Sequence, residues 1–105
     1  MKIATKVIAW EQTDLTAKNF WFFYKAIQPN ETPVFGYEDP HIVIPAVEGQ
    51  TEYQLQIPGQ LALTEGTYAL GVAAADAEGN LSDITTLVRF FDFTAPAAPQ
   101  NLRVL

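Results

Sequence analysis

Residues 65–83, EGTYALGVAAADAEGNLSD, set the pattern from which the other segments are placed. They read as a turn, one long strand, a second turn rich in acidic and small residues, and the start of another strand. With the two-residue period of a strand, Tyr68, Leu70, Val72 and Ala74 fall on one face, and Ala69, Gly71, Ala73 and Ala75 on the other. The first set makes a full core face. The second is almost bare.

The remaining segments also alternate with a period of two, and helical spacing is nowhere sustained, so the chain is expected to be all-β. Residues 3–11 make a first strand with Ile8 and Trp10 on one face and Val7 and Ala9 on the other. Residues 20–27, FWFFYKAI, are the most aromatic strand. Lys25 marks its wet face and takes Trp21 and Phe23 with it, leaving Phe20, Phe22 and Tyr24 for the core. Prolines at 29, 33, 40 and 45 punctuate the next segment, in which 34–37 and 41–44 are read as short edge pieces. TEYQLQI, residues 51–57, gives the cleanest alternation, with Tyr53, Leu55 and Ile57 inward and Glu52, Gln54 and Gln56 outward. In ITTLVRFFDF, residues 84–93, Arg89 marks the outer face and brings Leu87, Phe91 and Phe93 with it, leaving Val88 and Phe90 inside. A bulge would invert that assignment past Phe90, since both registers there are apolar. The sequence closes on TAPAAPQNLRVL, a Pro/Ala linker followed by a short apolar strand-like piece.

A length of 105 residues suits one domain. The six Lys and Arg are scattered, and the net charge of −6 leaves no basic stripe to neutralise phosphates, so nucleic acid is not an expected partner. No apolar run approaches the roughly 18 residues that a membrane helix needs, and membrane insertion is not expected. The absence of cysteine removes disulfides and thiolate metal sites. Lys6 interrupts what would be the apolar region of a signal peptide. If Met1 is the natural start, a cytoplasmic location is expected; otherwise the chain is a fragment open to an extracellular or cell-surface location.

At residues 63–83, LTEGTYALGVAAADAEGNLSD resembles a fibronectin type III domain of the kind common in bacterial proteins. The likeness lies in the leucine, turn, Gly-Thr-Tyr, alternating strand, Ala-x-Asp and Gly-Asn-x-Ser succession. It implies a two-sheet antiparallel immunoglobulin-like sandwich of about seven strands over residues 1–93, with 94–105 as linker and tail. Tyr68 matches the tyrosine whose hydroxyl bonds back to the chain a few residues upstream. Trp10 resembles the core tryptophan of the second strand. Family members carry a proline-flanked strand ahead of that tryptophan, and the nine residues before Trp10 are too few for both. AAPQNLRVL at the other end resembles the missing strand. Three readings stay open: this segment begins a following domain, completes its own sandwich, or is donated to a neighbour through Asn101, Leu102, Arg103 and Val104.

Two surfaces and two clusters are candidates for function. In the implied fold the strands at 20–27, 68–76 and 84–93 lie side by side. Trp21 and Phe23 would then flank the small residues Ala69, Gly71 and Ala73, with Leu87 and Phe91 beyond, forming an apolar trough suited to a partner. The alternative is a register that sends these aromatics to the core. The acidic loop 76–83 could present oxygens to calcium, but its spacing falls short of a 12-residue calcium loop and Gly79-Asn80 is ordinary turn chemistry. Glu38, Asp39 and His41 contain the single histidine, too little for a zinc site, and no serine or cysteine lies near it in sequence. No cofactor, metal or catalytic residue is expected. The reading is a non-catalytic structural or protein-interaction module whose partner is a protein, its own copies included. It would self-associate through the outer face or through strand donation. The alternative is a carbohydrate-binding module stacking sugars on exposed Trp21 or Tyr37.

Overall fold

In the computed structural model, which describes residues 1–59 and 61–105, the chain is all-β and forms two antiparallel sheets. The strands are β1 (Lys6–Glu11), β2 (Asn19–Ala26), β3 (His41–Pro45), β4 (Glu52–Ile57), β5 (Gly66–Ala75) and β6 (Thr85–Phe91). One sheet has four strands in the order β3-β2-β5-β6; the other pairs β1 with β4 alone. Residues 20–27, 68–76 and 84–93 are therefore neighbours, as expected. Six strands are present among the described residues rather than about seven. Residues 34–36 lie outside any strand and lead into a turn, and nothing in the 94–105 segment pairs.

The core is built by parity. β5 pairs with β2 so that Tyr24 faces Leu70, Phe22 faces Val72 and Phe20 faces Ala74. Directly paired residues share a face, so these six point to one side. The opposing sheet answers with Tyr53, Leu55 and Ile57 of β4, all buried, and with Ile8 and Trp10 of β1, half-buried. Trp10 stacks on Tyr53 at 5.9 Å between ring centroids and meets Phe20 edge-on at 5.6 Å. Aromatic pairs at such spacings add about 0.5–1.5 kcal/mol each beyond the area they bury. Loops are tied into this core by hydroxyls. Tyr53 accepts the Val47 N–H and donates to the Gln50 carbonyl, and the Tyr68 hydroxyl bonds Thr64 Oγ1 at 2.9 Å, four residues upstream.

The face assignment of β6 is inverted relative to the sequence expectation. The ladder runs without a break from Gly66 opposite Phe91 to Val72 opposite Thr85. Leu87 and Arg89 therefore share the core side with Leu70 and Tyr68, while Val88 and Phe90 face outward. Phe91 is 4% exposed and belongs to the core cluster; Phe90 is 63% exposed. Arg89 misled because a charge marks the wet side only where the other side is covered. β6 is an edge strand, exposed from Thr85 to Phe90 and buried only at Phe91, so Arg89 meets water from the core side as well.

Leu55 is 1% exposed between the sheets, and Leu55→Ala is expected to lower stability by about 2–5 kcal/mol through lost transfer energy and the cavity left. Val43→Ala, on the outer side of edge strand β3, should stay within about 0.5 kcal/mol. Urea unfolding followed by tryptophan fluorescence measures both.

Candidate functional site

The outer face of the four-stranded sheet carries the small-residue strip, but the protein's own side chains occupy it. Pairing places Trp21 beside Ala73, Phe23 beside Gly71 and Lys25 beside Ala69. Phe23 is fully buried, and Ala69, Gly71 and Ala73 are buried with it. The cover is the segment that follows β2. Phe35 packs on Phe23 at 5.6 Å, and His41 lies flat on Trp21 at 4.2 Å. Lys25 clips the segment down: its ammonium donates to the Val34 carbonyl, stands 3.8 Å from the Asp39 carboxylate and sits 4.7 Å from the Phe35 ring. Asp39 in turn accepts the Gly36 N–H, and its carbonyl bonds His41 Nδ1. From the other side, Ile84 reaches the strip. A Cβ placed on Gly71 would lie 2.7 Å from Ile84 and 3.1 Å from Phe35.

The expected trough of Trp21, Phe23, Ala69, Gly71, Ala73, Leu87 and Phe91 is therefore corrected in two ways. Leu87 and Phe91 are on the opposite face, Phe23 packs under Phe35, Gly71 lies against both Phe35 and Ile84, and Ala69 and Ala73 are buried. Trp21 remains half-exposed. What stays open on this face is Val43, Val88 and Phe90. Phe35 and Ile84 were the missed residues. Their signal was the bare strip itself, since a strand with no side chains on one face asks for bulk from elsewhere.

The acidic loop is a self-contained turn. Asp76 accepts the N–H groups of Glu78 and Asn80 at 3.0 and 2.9 Å and the Asn80 side-chain amide at 3.1 Å. Gly79, at φ +85°, lets the chain reverse. These bonds, those from Asn80 foremost, hold the Asp76 carboxyl below its ordinary value. Ser82 closes the loop by accepting the Ala74 N–H at 2.8 Å and donating to the Asp83 carbonyl. Among the described residues, no group of three or more His, Asp or Glu side chains gathers as a metal site would require.

The second surface is an open cleft between the sheets. It has a volume of about 610 Å³ and is lined from one side by Ala9, Trp10 and Glu11 of β1 and from the other by Val72, Ala74 and Thr85. Its origin is the unequal width of the two sheets. Glu52, Tyr53 and Gln54 of β4 also line the cleft, and the inward side chains of β4 are buried whereas those of β1 are only half-buried, so β1 is the less covered of the two strands. Beyond it Leu87 points inward and is 43% exposed. The backbone of β1 pairs with β4 along one edge and is bare along the other. Residues 95–105 extend away, with Leu102, Val104 and Leu105 in solvent. Strand-donation residues Asn101 to Val104 thus touch neither sheet, and Arg103 contacts only the Asn101 carbonyl among the hydrogen bonds of the tail.

Comparison with family models, curated proteins and solved structures returns no match. Among the described residues, no helix is long and apolar enough to cross a membrane.

Two substitutions test this geometry. Gly71→Ala should cost about 1–3 kcal/mol by forcing Ile84 or Phe35 off the strip, read as a lower urea midpoint. Asp76→Ala probes the loop through pH. A depressed carboxyl contributes stability above its ordinary value of 3.8 and loses that contribution as pH falls through the folded value. The variant should therefore be less stable than the parent at pH 7, with the gap narrowing below pH 3.8. Urea midpoints at the two ends of that range measure it.

Proposed function

We propose that the protein is a non-catalytic structural or interaction module of fibronectin type III type that associates with copies of itself. The observation that carries this reading is the unpaired edge of β1 beside an open interior cleft, in a chain whose own apolar tail is unpaired. Bare strand edges template pairing with another strand, and soluble proteins ordinarily blunt them with charge, proline or a cover. β1 offers a Lys, a Glu and four apolar residues, with no proline. The strand order β3-β2-β5-β6 over β1-β4, together with the Tyr68–Thr64 bond, supports the family reading.

The outer face supports association less well, since its small-residue strip is filled from within. The same filling weighs against sugar binding. His41 takes one face of Trp21, and the Tyr37 hydroxyl is bonded to the Ser82 carbonyl.

Light scattering on the full chain and on a version ending at Thr94 tests the proposal. The cut falls after Thr94 because Phe93 stacks on Phe91 and meets Lys6, so a shorter chain would disturb the core. The full chain should associate with rising concentration and the shortened chain should be monomeric. Two monomers of equal stability would overturn the reading. Association that survives the cut but is lost in Phe90→Lys would move the interface to the outer face.

A further inference from the structure

We infer that residues 99–105 of one copy lie along β1 of a second copy, antiparallel to it, and close the interior cleft with Leu102 and Val104. This rests on the self-association proposed above and specifies its donor, acceptor, direction and register.

The acceptor is set by the unequal sheets. A third strand added at the bare edge of β1 would lie over the uncovered inner side of β6, where Leu87 is open. The donor is set by alternation. In Asn101-Leu102-Arg103-Val104-Leu105, the residues Leu102 and Val104 share one face, and Arg103 with its alternate neighbours takes the other. Pro96 and Pro99 precede this piece, which suits an edge strand entered from a linker.

Register follows from parity. Leu102 and Val104 can meet the cleft only if they stand opposite the inward residues of β1, which are Trp10 and Ile8. Antiparallel pairing of Leu102 with Trp10 and Val104 with Ile8 puts Asn101 opposite Glu11, Arg103 opposite Ala9 and Leu105 opposite Val7. This arrangement also answers a charge problem on the outer side of the small sheet. Glu11 and Glu52 stand directly opposite each other there, a destabilising like-charge pair. Arg103, diagonal to Glu11 in this register, brings a positive charge beside them. Antiparallel ladders are also the slightly more stable kind per residue.

The tail is assigned to another copy because within the single chain it pairs with neither sheet and its apolar residues lie in solvent. Phe93 sits at the Lys6 end of β1, with the Lys6 ammonium 5.2 Å from its ring. To run antiparallel to its own β1, the tail would first have to travel to the Glu11 end, about 17 Å away at strand rise. The stretch from Phe93 to Asn101 spans about 26–29 Å when fully extended, so about 10 Å, with Pro96 and Pro99 in the path, would have to make the reversal. The single chain accordingly leaves Leu102 and Leu105 wholly in solvent.

The absence of native cysteine makes disulfide trapping a clean test. Ala9→Cys and Arg103→Cys are placed on separate chains, mixed and oxidised, and resolved on a non-reducing gel. A mixed dimer well above either chain alone is expected, and likewise for Glu11→Cys with Asn101→Cys. Replacing the donor by Leu102→Cys, which points inward, should reduce trapping several-fold. A bridge between Val7→Cys and Asn101→Cys in place of the Glu11 one would mean a parallel strand and would overturn the register. A double variant, Ala9→Cys with Arg103→Cys, that closes on itself at every dilution would overturn the intermolecular origin. The two proposals fail separately: a chain that never associates by light scattering sinks the first, whereas association without either bridge sinks only the second.

Discussion

A four-stranded sheet has two faces to cover, and the described residues supply only two further strands with which to do it. That shortage governs the rest of the structure. β1 and β4 cover the β2 and β5 portion of the inner face but, of β6, only the Phe91 end is buried. The outer face receives no sheet at all. It is covered by the segment between β2 and β3, pinned at Lys25, together with Ile84 from the far side. Each solution buries aromatic rings of β2, which explains how FWFFY can be apolar in both parities without leaving a bare hydrophobic face.

β5 makes this division possible. Its two faces differ in bulk because they meet different partners. Tyr68, Leu70 and Val72 meet another sheet, which packs at a spacing of about 10 Å and needs long side chains to fill the gap. Ala69, Gly71 and Ala73 are buried on a face that the chain's own loops cover, and at Gly71 Phe35 and Ile84 approach so closely that the strand can carry almost nothing. At Gly71 even a methyl group would collide.

Much of this was legible in the sequence. The all-β class and the inward sets of β1, β4 and β5 follow from period-two alternation and turn residues, whereas the two-sheet arrangement and the adjacency of β2, β5 and β6 come from what the resemblance to a fibronectin type III domain implies. The errors share one cause. Alternation tells which residues share a face but not what lies against it. Parity with Lys25 puts Phe23 on the outer face, correctly, yet it is no part of an open trough because a loop folds over it and buries it. In β6 the charge of Arg89 pointed the wrong way, since both sides of an uncovered edge strand are wet. Residues 34–37 alternate weakly, and Phe35 serves as a plug rather than as a strand residue. Gly71 is bare, and bareness in a sequence fits an empty trough as well as a filled one.

The two uncovered places differ in kind. On the outer face the exposed residues Val43, Val88 and Phe90 are the rim of a surface whose centre is already packed, so a partner there would gain only the rim. At the cleft, the centre itself is open. A bare row of β1 amides and carbonyls borders half-buried Ile8 and Trp10, and Leu87 points inward with little against it. A strand arriving there gains ladder hydrogen bonds and apolar burial together, the combination that gives strand addition both its affinity and its register.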